Sequence, residues 1–280
     1  MKYFRPALHL SLTISCALLL ACAGLQQLVQ TPSVSVAHVG LQNLSFEAVT
    51  LDFDLKVHNP NAFGASLQGF SYTFALQEKE LFSGKTTNSF AVPAQGDGHA
   101  HIPITLHFKE IYALVQNTKS LDSLKYQITG ALNPGGLLAG MTIPFSKTGT
   151  MPNVRLPEVS LGSLKVNKLN LSGVDLSLAI KMKNPNAFAF DIGKLNYAVQ
   201  LAGQPVASGL SQNLAAIPQK GAGEIALPIR LDFSGVAASL RTALSGGAID
   251  CSLAGAADLN TPFGLLNLPL ETTQKVSIFK

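Results

Sequence analysis

The sequence predicts an all-β chain of two tandem antiparallel β-sandwiches, each interrupted by one short helix, and three observations carry this. The first is a duplication. Asn59-Pro60-Asn61-Ala62-Phe63 recurs as Asn184-Pro185-Asn186-Ala187-Phe188, 125 positions later, and the register holds without a gap from about Leu44 to Thr148. The second is an alternation of apolar and polar residues at period two through most of each copy. The third is punctuation: glycine and proline break the chain into short segments, and each copy has one stretch at helical spacing.

The chain opens with Lys2 and Arg5 ahead of an apolar run from Ala7 to Leu20, too short to span a bilayer and shaped like a secretory signal peptide over residues 1–21. The run ends in Leu19-Leu20-Ala21-Cys22, which resembles the bacterial lipobox. That resemblance implies that Cys22 carries a thioether-linked diacylglycerol and becomes the mature N-terminus, with acyl chains enough for stable anchoring. An ordinary signal peptide cut near Ala23 or Gly24 is the competing reading. Ala23 is not the Asp that retains such proteins in the inner membrane, so in a Gram-negative source the expected place is the outer membrane, facing the periplasm. Residues 22–33 then form a lipidated tether, 34–150 the first domain and 154–280 the second.

Cysteine usage fits an exported protein that does not rely on disulfides. With Cys16 in the leader and Cys22 lipidated, only Cys251 remains. Tyr126 holds the matching place in the first copy, so Cys251 reads as an apolar strand residue. Loss of Lys2 and Arg5 lowers the formal charge from +4 to +2, and no run of lysine or arginine appears, which excludes nucleic acid as the expected partner. Apolar residues at 47% against charged ones at 13% suffice for a core in each domain.

The strands follow in order. Val49, Leu51, Phe53, Leu55 and Val57 alternate inward, matched by Val174, Leu176, Leu178, Ile180 and Met182. Tyr72, Phe74 and Leu76 alternate next, as do Tyr197, Val199 and Leu201. A further strand carries Ala100, Ile102, Ile104, Leu106 and Phe108, matched by Ile225, Leu227, Ile229, Leu231 and Phe233. Pro103 and Pro228 lie inside it and cannot donate to a ladder, so it is expected at an edge or with a bulge. Ile111, Leu114 and Val115 then share a helix face, as do Val236, Leu240 and Leu244, with Ser234 as N-cap and Gly246-Gly247 as stop. Strands resume from Tyr126 to Ala131 and around Ile143 to Phe145.

Asn59-Pro60-Asn61 and Asn184-Pro185-Asn186 each follow the longest alternating strand. The residue before proline is pushed extended, proline fixes φ, and the next asparagine can bond local backbone. A structural corner is therefore expected, with Ala62 and Phe63 returning an apolar anchor to the core. A strand ending in Asn-Pro-Asn, followed by a Tyr-containing strand, Ser83-Gly84 or Ser208-Gly209, a proline-led turn, an edge strand ending in Phe and a helix, resembles the WHy domain of late embryogenesis abundant type 2 proteins. The likeness covers nearly the whole mature chain. It implies an immunoglobulin-like or fibronectin-III-like sandwich and a role in desiccation, osmotic or other stress. The tandem arrangement and the lipobox depart from soluble, single-domain plant relatives.

His99, His101 and His107 fall on the outward phase of the edge strand and are the candidate ligands for a surface zinc or copper ion. The second copy has Glu224, Ala226 and Asp232 there, so solvent-facing polar residues are the simpler reading. Asp52 and Asp54 share an outward face and mimic a carboxylate pair, but their counterparts are Ser177 and Ala179. No Gly-x-Ser-x-Gly elbow, His-Glu-x-x-His or phosphate loop is present, so no enzyme and no cofactor is expected. The expected function is a non-enzymatic, lipid-anchored envelope protein acting by binding or surface protection. Its partners would be the membrane, through the lipid, and a lipid or protein of the envelope. A carrier of an amphipathic ligand and a structural partner using exposed strand edges are the alternatives.

Overall fold

A computed structural model of the chain describes residues 29–87, 89–212, 214–234, 238–245 and 247–279; the leader and Cys22 lie outside them. The first half runs β1 (Ser33–Gln42), β2 (Ala48–Asn59), β3 (Ala65–Leu76), β4 (Lys79–Thr86), β5 (Phe90–Val92), β6 (Gly96–His107), α1 (Phe108–Leu114), β7 (Ser123–Pro134) and β8 (Ile143–Pro152). The second repeats this as β9 (Glu158–Leu169), β10 (Gly173–Lys183), β11 (Phe190–Leu201), β12 (Gln204–Gln212), β13 (Ala216–Ile217), β14 (Ala222–Asp232), α2 (Ala238–Ser245), β15 (Ala248–Thr261) and β16 (Gly264–Phe279). The fold is all-β, in tandem sandwiches, with one short helix per repeat.

In the first repeat one sheet has the order β1-β2-β6 and the other β4-β3-β7-β8, with β5 added to β3. The second repeat keeps both strand sets but joins them into one path, β12-β11-β15-β16-β9-β10-β14. The join departs from the expected antiparallel pattern. The long strand β16 runs on until Ile278 and Phe279 pair in parallel with Leu164 and Lys165 of β9. Pro103 and Pro228 sit on the edge strands β6 and β14, where no neighbour needs the missing N–H.

Burial follows the period of two. Val49, Leu51, Phe53, Leu55 and Val57 are all at most 1% exposed, and their counterparts on β10 are likewise buried. At ~25 cal/mol per Å², each such side chain contributes about 1.5–3 kcal/mol. Phe53 packs edge-on against Phe74 and Tyr126, with ring centroids 6.3 and 5.5 Å away. Cys251 is buried on β15, and burial pushes its thiol up to about 11, which makes it an inert core residue.

Tyr72 stands directly across from Gly84 and Tyr197 from Gly209, and each ring lies over its glycine, which accounts for the repeated Tyr and Ser-Gly. Gly255 adopts φ 147, and a Cβ there would stand 2.0 Å from the Asn196 carbonyl oxygen, so only glycine fits.

Local expectations needed correction in two places. Leu114 is 51% exposed: α1 ends there, and of the expected face only Ile111 and Val115 turn inward, beside the buried Phe108. Ala62 and Ala187 are exposed, so the apolar anchor after each corner is the phenylalanine only. Phe188 is buried against Phe263 at 5.3 Å, and Phe63 is half-buried. The second helix is described from Ala238, and the expected Val236 and Gly246 lie outside the described residues; Ser234 donates its backbone N–H to Asp232. Gly247, with φ 77, follows the end of that helix in the left-handed region expected of a stop.

The chain divides into two compact units. One gathers the described residues up to Gly40 with Leu51–Ile104 and Lys125–Thr150; the other gathers Leu41–Thr50, Thr105–Leu124 and Met151–Lys280. Among the described residues no helix is long and apolar enough to cross a membrane.

Candidate functional site

Each Asn-Pro-Asn triplet lies at the end of the central strand of its three-stranded set, and its asparagines are buried: Asn59 0%, Asn61 3%, Asn184 and Asn186 1% exposed. Asn59 Nδ2 donates to the Phe63 and Pro93 carbonyls at 2.8 and 3.0 Å, and Asn184 Nδ2 donates to Phe188 and Pro218 at 2.7 and 3.0 Å. Their Oδ1 atoms accept the backbone N–H of Asn61 and Asn186 at 3.1 and 2.9 Å. Proline between the two asparagines has no N–H to satisfy, so the amide closes the turn with no donor left over.

The second asparagine does something the sequence did not announce. Asn61 Oδ1 accepts from Gln30 N and its Nδ2 donates to Gln30 O, both at 2.8 Å. Asn186 does the same to the backbone of Arg155, at 2.7 and 2.8 Å. Each side chain thus acts like one rung of a β-ladder and clamps the segment that leads into the first strand of its repeat. Gln30 and Arg155 also stand 125 positions apart, which was the only available signal, and unlike side chains hid it.

The second unit adds a polar cluster around this clamp. Arg155 Nη1 donates to Pro185 O at 2.8 Å and Nη2 to Leu121 O, beside Asp122. Lys220 Nζ bonds Asp122 and the Pro185 carbonyl. Asn153 Nδ2 donates to Thr118 and Leu121 carbonyls at 2.7 Å, and Tyr112 donates to Asn153 Oδ1 at 2.8 Å. The Lys220 ammonium first, then Arg155, holds the Asp122 carboxyl below its ordinary range.

His99 and His101 lie on the outward face of β6, as their phase requires, but their rings are spoken for. His99 Nδ1 is hydrogen-bonded to Asp54 at 2.9 Å and His101 Nδ1 to Asp52 at 3.2 Å. One step along, Asp97 receives Lys56 at 2.9 Å and His58 at 2.8 Å, and these bonds lower its carboxyl pKa. His107 does not join them: it ends β6 at the N-cap of α1, in the other compact unit. The described residues hold no group of three or more His, Cys, Asp or Glu side chains able to bind a metal ion. Asp52 and Asp54, which could have passed for a carboxylate dyad, are instead the partners of the two histidines. This is an exposed ladder of surface pairs, each of small energetic weight.

Two clefts among the described residues carry apolar side chains. One of about 260 Å³ in the second unit is lined by Val166, Leu169, Val174, Leu176, Phe233 and Leu244. Another, of about 370 Å³ in the first unit, runs between the turn after β4 and β6, with Phe70, Phe90, Ile102 and Lys85 on its wall. Neither brings a nucleophile and a base together.

Two segments, residues 54–149 and 179–274, match the family model described as late embryogenesis abundant protein, type 2. No curated protein matches the sequence. Among solved structures, the crystal structure of a protein from Archaeoglobus fulgidus is similar at 10% identity, over 46% of this chain and 99% of that one, with a TM-score of 0.34.

Proposed function

The chain belongs to the late embryogenesis abundant protein family, type 2, and from that premise we propose a non-enzymatic envelope protein, anchored through a lipid on Cys22, that serves in desiccation, osmotic or other stress by binding or by protecting surfaces. The observation that carries the stress reading is the family match of both repeats, over more than half of the chain. The repeated corner supports a non-catalytic reading, because its buried amides are spent on backbone and leave no donor or acceptor for a substrate.

Survival of drying and of osmotic upshift tests this, comparing cells with the intact gene, a deletion, and Cys22→Ala. The deletion is expected to lower survival. Cys22→Ala is expected to leave the precursor unprocessed and to remove acyl label. Unchanged survival of the deletion would overturn the stress reading, and a mature protein beginning at Ala23 or later without lipid would overturn the anchor.

A second reading, carriage of a lipid or other amphipathic ligand, is favoured by the apolar-walled cleft of the second unit.

A further inference from the structure

One end of the first unit is closed without charge. β1, β3, β6 and β8 begin there, and β2, β5 and β7 finish there. Four pieces of chain cover it: residues 29–32, 60–64, 93–96 and 135–142. The corner ties them together. Asn61 grips Gln30 through its side chain and accepts the Gln95 N–H on its backbone oxygen at 2.9 Å, while Gly135 N–H donates to Ser66 O, just past the corner, at 2.8 Å. None of the residues in these four pieces is ionisable. The turn at the other end of β3, by contrast, exposes Glu78 and Lys79. Leu137 stands on the uncharged end, 76% exposed in the short helical turn Gly136–Leu138. Its neighbour Leu138 is 1% exposed, and that burial fixes the turn against the core and holds Leu137 out toward solvent.

Exposed apolar side chains elsewhere keep charged company. Leu171, 101% exposed, sits in a turn beside Lys168, Arg230 and Asp232, and Phe263 and Leu265 share the corner end of the second repeat with Arg155 and Lys220. At the places of those two cations the first repeat has Gln30 and Gln95. The sequence from Cys22 to Pro32 has no ionisable side chain either, and Gln30 follows Cys22 by eight positions, a reach of at most about 28 Å. A lipid on Cys22 therefore brings this end of the unit to the bilayer. There a charge would be costly and a leucine gains by leaving water. We infer that the corner end of the first unit docks on the lipid surface, with the Leu137 side chain in the acyl boundary and the uncharged turns at headgroup level, where water still satisfies their backbone. Lys56, His58 and Asp97, on the strands next to the turn at 93–96, are paired with one another at 2.9 and 2.8 Å. The docking face rests on the lipid anchor proposed above.

The chain has no tryptophan, so Leu137→Trp places a sole indole at the proposed contact and Lys79→Trp one at the opposite end, both at exposed positions. The protein is purified from membranes and reconstituted in vesicles of phosphatidylethanolamine and phosphatidylglycerol, with or without brominated acyl chains. Emission of Leu137→Trp is expected to move to shorter wavelength and to be quenched by the brominated lipid, while Lys79→Trp keeps the emission of an indole in water. Ala94→Trp, on the neighbouring turn, reports the same end with Leu137 in place, and adding Leu137→Asp should reduce its quenching. An aqueous, unquenched indole in Leu137→Trp, or equal quenching of Leu137→Trp and Lys79→Trp, overturns the inference. Mass spectrometry of the same samples reads the acyl chains separately. Acylated protein with an aqueous indole at 137 keeps the anchor and removes the docking face. Quenching without acyl chains does the reverse, and absence of both removes both.

Discussion

Replacing Asn184 by alanine removes one side-chain amide and three hydrogen bonds at once. The carbonyls of Phe188 and Pro218 and the N–H of Asn186 lose their partner, in a corner whose two asparagines are each 1% exposed. Each neutral bond is worth about 1 kcal/mol net, and each buried group left unpaired costs about 1–3 kcal/mol unless water reaches it. With partial relaxation the expected loss is about 3 kcal/mol, a large share of the ~5–15 kcal/mol typical of a domain. The side chain of Asn186, which holds Arg155, would also lose its footing. Urea melts followed by circular dichroism should show a lower midpoint at unchanged slope. Asn59→Ala should cost a similar amount, and the double variant should sum to within about 0.5 kcal/mol, since the corners lie in separate units. Asn184→Asp sharpens the test. It keeps the acceptor but turns a donor into a second oxygen facing two carbonyls, so a buried carboxyl there prefers its proton and its pKa is raised. The added penalty is then absent below the unfolded value of about 3.9 and grows as pH rises through the folded value, so this variant should gain stability on acidification relative to Asn184→Ala. Unchanged midpoints for both alanine variants, with stress protection lost, would refute the structural reading of the triplet.

Two further outcomes are expected. Because Lys220 and Arg155 depress the Asp122 carboxyl, whatever stability it lends is present above about pH 4 and lost as pH falls through its folded value. Asp122→Asn should flatten that acid limb in a pH series of melts, and an unaltered limb would show the cluster to be idle. Gly255→Ala should destabilise by about 2–3 kcal/mol, since φ 147 and the Asn196 carbonyl leave a Cβ no room; a neutral melt would contradict the geometry.

Much of this architecture is written in local order. Val49 to Val57 and Val174 to Met182 announce their buried faces because a strand turns its side chains over every second residue, so neighbours alone report the face. The duplication marks what the fold keeps, and Asn-Pro-Asn declares a corner through the φ limits of proline. What these asparagines hold is another matter. Gln30 and Arg155 are gripped through their backbone, which every residue has, across 31 positions of chain. Pro93 and Pro218 accept across 34. Lys220 meets Asp122 across 98 positions, and His99 finds Asp54 only when β6 lies beside β2. Lys85 and Phe90 come to share a cleft with Phe70 and Ile102 in the same way. Periodicity cannot mark such meetings, since closure of the sheets brings chemically ordinary groups together from distant parts of the chain.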